Sequence, residues 1–413
     1  MVKKWLLFSF IVALLVLSAC GNDKASKKDS GSSDDTITVW AMGEEGKLLK
    51  QLTEKFEKEN EGIKVDVQAI PWDSAHDKLL TAVASGNGPD ILQLGTTWVP
   101  EFAEAGALLD LTEYMEEHPE FAPENYFDGA AEIMQFDDQI VGIPWYVDTR
   151  VLYYRTDLLA EVGYDKAPET WEELQDAAKK LADRGEDQYG LDIDQNDQIT
   201  PFIFAWQNGY DANLKENKLN FDTPEFIGAM EYYTSFFKEG SSQVEQGEDI
   251  IQAFANGKKP MFFSGPWMVN ILNEQAPDAE GKWSVAVMPG KETKASSMGG
   301  ATLSIFHNSE NVDNALKFLS YMNETETQLE WLDISNTLPS KPESWENPKL
   351  QDDPMYSVFG EQLKESKAGL QTEQFERIAQ ELLSSLERVN AGGADLKAEM
   401  EQFNKTAQDL LAE

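Results

Sequence analysis

The chain of 413 residues contains a single cysteine, Cys20, so no intrachain disulfide can form. Three histidines and no second cysteine exclude a Cys-rich zinc site. Cations are scarce as well: 34 Lys and Arg stand against 74 Asp and Glu, a formal charge of −40. Binding to a nucleic-acid backbone needs clustered Lys and Arg and is excluded. The same charge repels anionic lipid headgroups, which excludes broad electrostatic adhesion to a membrane. One long apolar run exists, Trp5 to Leu17, and it is too short to span a bilayer comfortably. What is present is ordinary for a globular body: 41% apolar residues, and a length suited to two or three domains.

The apolar run follows Lys3 and Lys4 and ends in Leu17-Ser18-Ala19-Cys20. A charged start, an apolar core and small residues before a cut describe a secretory signal. The tetrapeptide resembles the bacterial lipoprotein cleavage motif, in which Cys20 becomes the acylated first residue. Residues 1–19 are therefore expected to be a lipoprotein signal peptide, and residues 20–36 the lipidated Cys20 and a flexible Ser/Gly/Lys/Asp tether. The expected location is the outer face of the cell membrane, of the Gram-positive kind, with contact through the lipid anchor only.

From Thr36 the pattern alternates. Ile37 and Val39 read as a strand, Leu48, Leu49, Leu52 and Phe56 as one face of a helix, and Ile63, Val65 and Val67 as a second strand. A further helical stripe, Leu79, Leu80 and Val83, breaks at Gly86-Asn87-Gly88-Pro89 before the strand Ile91–Leu94. This opening predicts a parallel sheet covered by helices. Farther on, Thr170 and Glu173 form a capping box, Thr223-Pro224 and Asp249 start helices, and the stretch from Thr372 is helical with a break at Gly392-Gly393.

Eleven tryptophans among 44 aromatic residues exceed what core packing usually requires. Flat rings suit the C–H faces of sugars, while carboxylates, amides and imidazoles suit the hydroxyl rim. Trp98 and Trp267 follow strands, where open α/β sheets bind ligands, and are the foremost candidates. Trp40, Trp145, Trp206 and Trp331 are weaker ones, and Trp171, next to a helix cap, reads as packing. His76, read as standing before a helix, could bond a hydroxyl, and Gly299-Gly300 would allow close backbone approach to a ligand. Asp192 to Asp197 imitates a calcium loop at its first, third and fifth positions, but has Asp197 in place of the turn glycine and Ile203 in place of the bidentate glutamate. No metal, no cofactor and no catalytic residue is expected.

Several stretches resemble the bacterial extracellular solute-binding proteins of the maltose, trehalose and multiple-sugar type. They are Gly86-Asn87-Gly88-Pro89-Asp90-Ile91, the run Trp98 to Gly106, Gly142-Ile143-Pro144, Val151-Leu152-Tyr153-Tyr154, Gly265-Pro266-Trp267, Gly299-Gly300 and Leu338-Pro339-Ser340. Arg155, Ala301 and Gly95 depart from the family's pattern. The resemblance implies an α/β fold of the periplasmic-binding type, with two lobes joined by crossings near Pro144, Gly299 and Asn336. Residues 37–143 and 301–336 would form one lobe, and 144–300 and 337–413 the other. It also implies ligand contacts from Tyr146 and Asp148, and from Glu44 or Glu45 in the loop after the first strand. The implied function is capture of a mono- or oligosaccharide for ABC permease subunits by a monomeric, non-enzymatic receptor. Two readings stay open beside it: a polyamine or other small-solute binder, and an anchored glycoside hydrolase, which would need two carboxylates flanking a bond.

Overall fold

The computed structural model describes residues 35–212, 220–245 and 247–412; Cys20 and the expected signal and most of the tether lie outside them. Among the described residues the strands are β1 (Thr36–Met42), β2 (Lys64–Ile70), β3 (Ile91–Gly95), β4 (Gln135–Phe136), β5 (Gln139–Ile140), β6 (Ile143–Asp148), β7 (Val151–Arg155), β8 (Met261–Ser264), β9 (Trp283–Ala286), β10 (Ser296–Ile305), β11 (Leu338–Pro339) and β12 (Ser366–Ala368). The larger sheet has the order β11-β6-β10-β3-β1-β2, with β12 joining the start of β10. A second, antiparallel sheet has the order β8-β7-β9.

The expected parallel opening is present: β1 pairs β2 and β3 in parallel. β10 then enters antiparallel between β3 and β6, which makes the sheet mixed. Ile37, Val39 and Ala41 are fully buried, and Leu52 and Phe56 cover them from the helix Lys50–Glu59. β2 is the edge strand, and its Lys64, Asp66 and Gln68 carry polar groups at an edge that a neighbouring chain could otherwise extend.

A second apolar cluster gathers Leu152, Trp171, Phe202, Phe226 and Phe236 with the C-terminal helices Phe375–Asn390 and Leu396–Leu411. Thr170 accepts the Glu173 N–H, while Glu173 reaches back to the N–H of Glu169 rather than of Thr170. The second sheet is covered on both sides: Leu152 and Met261 join this cluster, whereas Val151, Tyr153 and Phe262 belong to the first.

The expected lobe divisions fall inside elements of the larger sheet. β6 holds residues 143–148 in it, β10 spans the division at 300, and β11 keeps Leu338–Pro339 paired to β6 beyond Asn336. The chain passes from the larger sheet to the β8-β7-β9 sheet at Thr149-Arg150. There, Ser296 Oγ donates to the Arg150 carbonyl at 2.7 Å, and the Thr149 and Ser366 hydroxyls lie 3.0 Å apart. Three chain segments are thus tied side by side between the two cores.

Candidate functional site

The C-terminal ends of β3 and β6 and the start of β10 meet at one end of the larger sheet. Gly299 pairs with Asp148, Ala301 with both Tyr146 and Gly95. Gly300 has φ +116°, and a Cβ there would lie 2.2 Å from the Tyr146 carbonyl. A Cβ on Gly299 would lie 2.4 Å from Asp148 Oδ1. Gly300 cannot carry a side chain, and one on Gly299 would have to displace the Asp148 carboxylate, so the glycine pair lets backbone approach backbone beside it.

Beyond this end lies a cleft of about 820 Å³, inside the ~300–1,000 Å³ range of small-molecule sites. Thr96, Thr97, Gly299, the loop around Asp194–Asp197 and β8 line it. Trp267 stands in it, 39% exposed. The Arg150 guanidinium sits 4.9 Å from its ring centroid, a cation–π arrangement. Arg150 Nη1 donates to Asp148 Oδ1 at 3.3 Å, and Nε to Asp197 Oδ2 at 3.2 Å. Burial alone would lower the Arg150 pKa, but Asp197 and Asp148 outweigh it and hold it above the ordinary value.

At the ends of β1 and β3 stands a second aromatic group. Trp72 lies against Gly43 and Gly95, is 37% exposed, and meets Trp98 edge-on at 5.4 Å. His76 backs Trp98 at 5.2 Å and is tied to Glu101 at 2.7 Å. Glu45 is half-buried, with its carboxyl beside Gly43 and Trp72. Burial pushes its pKa up, and Asp148 adds to that. Asp148 itself is pushed up by burial and by Asp197, against the pull of Arg150. Tyr146 is buried, and Gln93 donates to its phenol oxygen at 3.1 Å while accepting the Met42 N–H at 2.7 Å. The phenol proton is left for another acceptor.

Of the residues singled out from the sequence, Glu45, Trp98, Tyr146, Asp148, Trp267, Gly299 and Gly300 gather at this end of the sheet. Three expectations need correction. Glu44 and Glu45 lie in the first turn of the helix Gly43–Leu48, not in a loop, and Glu44 is exposed and ion-paired with Lys47. His76 lies within the helix Trp72–Ser85, not before one, and its ring supports Trp98. Trp206 is 4% exposed in the second core, because every residue of its helix, Thr200–Gln207, is buried. Trp145 and Trp331 are stacked on each other at 4.9 Å inside the first core. Trp171 packs, as expected, on Tyr232 at 3.9 Å.

Arg155, a departure from the family pattern, has an internal task. It forks onto Asp157 at 2.9 and 2.8 Å and donates to the Phe254 and Ala255 carbonyls at the end of a helix. The calcium-like acids are also engaged locally: Asp192 accepts from Lys259 at 2.5 Å, Asp194 from the Asn196 N–H, and Asp197 from Arg150. Among the described residues no group of three metal-ligating side chains comes together. Sequence reasoning missed Trp72, Arg150, Asp197 and Gln243. Trp72 carried the available signal, since it follows the second strand as Trp98 follows the third. Gln243 has a buried amide oxygen without a partner among the described residues, and lines the cleft.

A family model described as bacterial extracellular solute-binding protein matches residues 40–329. The chain belongs to this family. The sugar-binding protein MalE of Xanthomonas citri is 35% identical, with a TM-score of 0.86 over 91% of this chain and 97% of that one. A solute-binding protein of Thermotoga lettingae bound to α-D-tagatose is 28% identical, with a TM-score of 0.76 over 91% and 99%. The galactooligosaccharide-binding protein of Bacillus subtilis is 24% identical over 99% of this chain and 97% of its own. The fold of this solute-binding protein is therefore the two-lobed α/β fold of the periplasmic type. Its relatives are binding proteins, and the chain is a binding protein rather than an enzyme.

Proposed function

We propose that this solute-binding protein captures a sugar, preferentially an oligosaccharide, for an ABC importer. Among the described residues only two large apolar side chains are exposed, and both are indoles that follow strands: Trp267 in the cleft, and Trp72 beside Gly43, Glu45 and Trp98. That observation carries the reading. A folded protein that covers its other large apolar groups but presents two flat rings beside carboxylates, an arginine and a glutamine is built for a ligand with C–H faces and a hydroxyl rim. The relatives described as sugar- and oligosaccharide-binding proteins support the same class.

The ligand would touch both walls only when they close, so its binding favours the closed form. Closure would turn on the tied segments at Thr149-Arg150, Ser296–Gly299 and Ser366–Ala368. A monomer, acylated at Cys20 and held on the outer face of the cell membrane, would then present the closed form to the permease. Incorporation of labelled palmitate into the wild type, and its loss in Cys20→Ser, would test the anchor.

Titration of tryptophan fluorescence in the chain from residue 20 on, carrying Cys20→Ser, tests the main reading. A saturable response to one sugar class, at micromolar affinity or about −8 kcal/mol, with the sugar recovered unchanged, is expected. A polyamine is the second reading, favoured by the seven carboxylates that line the cleft. A response to spermidine and to no sugar would replace the first reading by it.

A further inference from the structure

The charges of the cleft are unbalanced and already spoken for. Seven carboxylates and two cations line it, a net of −5 among the described residues. Both cations are engaged by the cleft's own acids. The Lys259 side chain is 6% exposed and its ammonium lies 2.5 Å from Asp192 Oδ1. Arg150 is divided between Asp148 and Asp197, and its plane lies over Trp267. Capture of an anion needs a guanidinium or ammonium free to point donors at it. Here such a ligand would first have to displace a carboxylate from Arg150 or Lys259, and would still meet Glu245, Glu248 and Asp249, which line the same cleft.

We propose that the cleft rejects sugars carrying a carboxylate or phosphate, and that the Asp148–Arg150–Asp197 chain sets this specificity by holding Arg150 away from anions. The inference rests on the sugar-receptor reading and sharpens it. Neutral sugars avoid the penalty, because hydroxyls can donate to the same carboxylates that repel an acid. Asp197 is the controlling residue. Without its charge Arg150 keeps only the Asp148 carboxylate as an ionic partner.

The test is fluorescence titration of the Cys20→Ser protein with maltotriose, galactotriose and arabinotriose beside trigalacturonate and maltose 6′-phosphate. At least one neutral sugar should bind about tenfold or more tightly than either anion, a difference of about 1.4 kcal/mol. In Asp197→Asn that ratio should fall by about tenfold, while in Glu61→Gln, at an exposed site beside β2, it should stay as in the wild type. An anion that binds as tightly as the best neutral sugar overturns the inference and leaves the sugar reading standing. An unchanged ratio in Asp197→Asn overturns the part assigned to Arg150. If Asp197→Asn does not fold, the wild-type ratio alone decides. Absence of binding to every sugar removes the sugar reading, and the inference falls with it.

Discussion

Two carboxylates mark the two ends of the larger sheet, Asp90 buried and Asp148 half-buried, and the two are treated in opposite ways. At the N-terminal end of β3, Asp90 accepts from the Thr38 backbone at 2.8 Å and its hydroxyl at 2.9 Å, from Ser309 at 2.7 Å and from Asn311 at 3.1 Å. Burial would push its pKa up, but those hydrogen bonds outweigh it and hold the carboxyl below the ordinary value. At the C-terminal end, Asp148 has one long contact from Arg150, sits against Gly299, and is pushed above the ordinary value. The first end is fully paired, and the second is left partly unpaired beside exposed indoles. Stability is concentrated where polar groups are satisfied, and binding where they are not.

The sharpest way to break this contrast is at Asp90. Asp90→Ala should destabilise the protein by about 3 kcal/mol, the range for stripping a buried hydrogen-bonded charge of its network. Denaturant unfolding would measure that, and sugar affinity should not change. A loss of affinity as large as the loss of stability would erase the distinction between the two ends. Next in size, Trp72→Ala and Trp267→Ala should each weaken sugar binding by about 2 kcal/mol, roughly thirtyfold, with unfolding midpoints near that of the wild type. Titration calorimetry separates the two quantities.

The two carboxylates also predict opposite dependence on pH. Asp90 has a folded pKa below its unfolded value, so its contribution is present above the unfolded pKa and is lost as pH falls through the folded one. Asp148 has a raised folded pKa, so the folded state binds its proton more tightly than the unfolded chain does. Its ionisation therefore lowers stability as pH rises through that window, and protonation restores it. Asp148→Asn should accordingly stabilise the protein at neutral pH by about 1 kcal/mol or less while weakening sugar binding. Unfolding at several pH values would show the difference. The smallest effect is expected at Glu44, where Glu44→Gln should leave sugar affinity as it was, because this exposed side chain pairs with Lys47.

The parallel opening was legible because Ile37, Val39, Ile63, Val65 and Val67 alternate and Leu49, Leu52 and Phe56 keep helical spacing, so period alone assigned them. The lobe divisions were less legible. Glycines and prolines near 143, 300 and 336 mark breaks in pattern, but strand pairing continues through them, and pairing is a tertiary fact. Pro71 explains the misplaced His76: as the residue before Trp72 it opens the helix four positions earlier. The Gly-Pro-Trp stretch was informative because it follows the end of β8, and the Gly-Gly pair because it lies within β10 opposite the end of β6. Trp206 was misread because a helix buried on every side looks, in sequence, like an apolar stretch running toward a site. Arg150 gave no signal at all, since its meaning depends on Asp197 and Trp267, which only the fold brings to it.

The most direct measurement is a crystal structure of the protein with the oligosaccharide that binds in titration. Sugar rings are expected against the faces of Trp267 and of the Trp72–Trp98 group, with hydroxyls bonded to Asp148 or Glu45. A sugar bound elsewhere, with both indole groups left in solvent, would contradict this expectation.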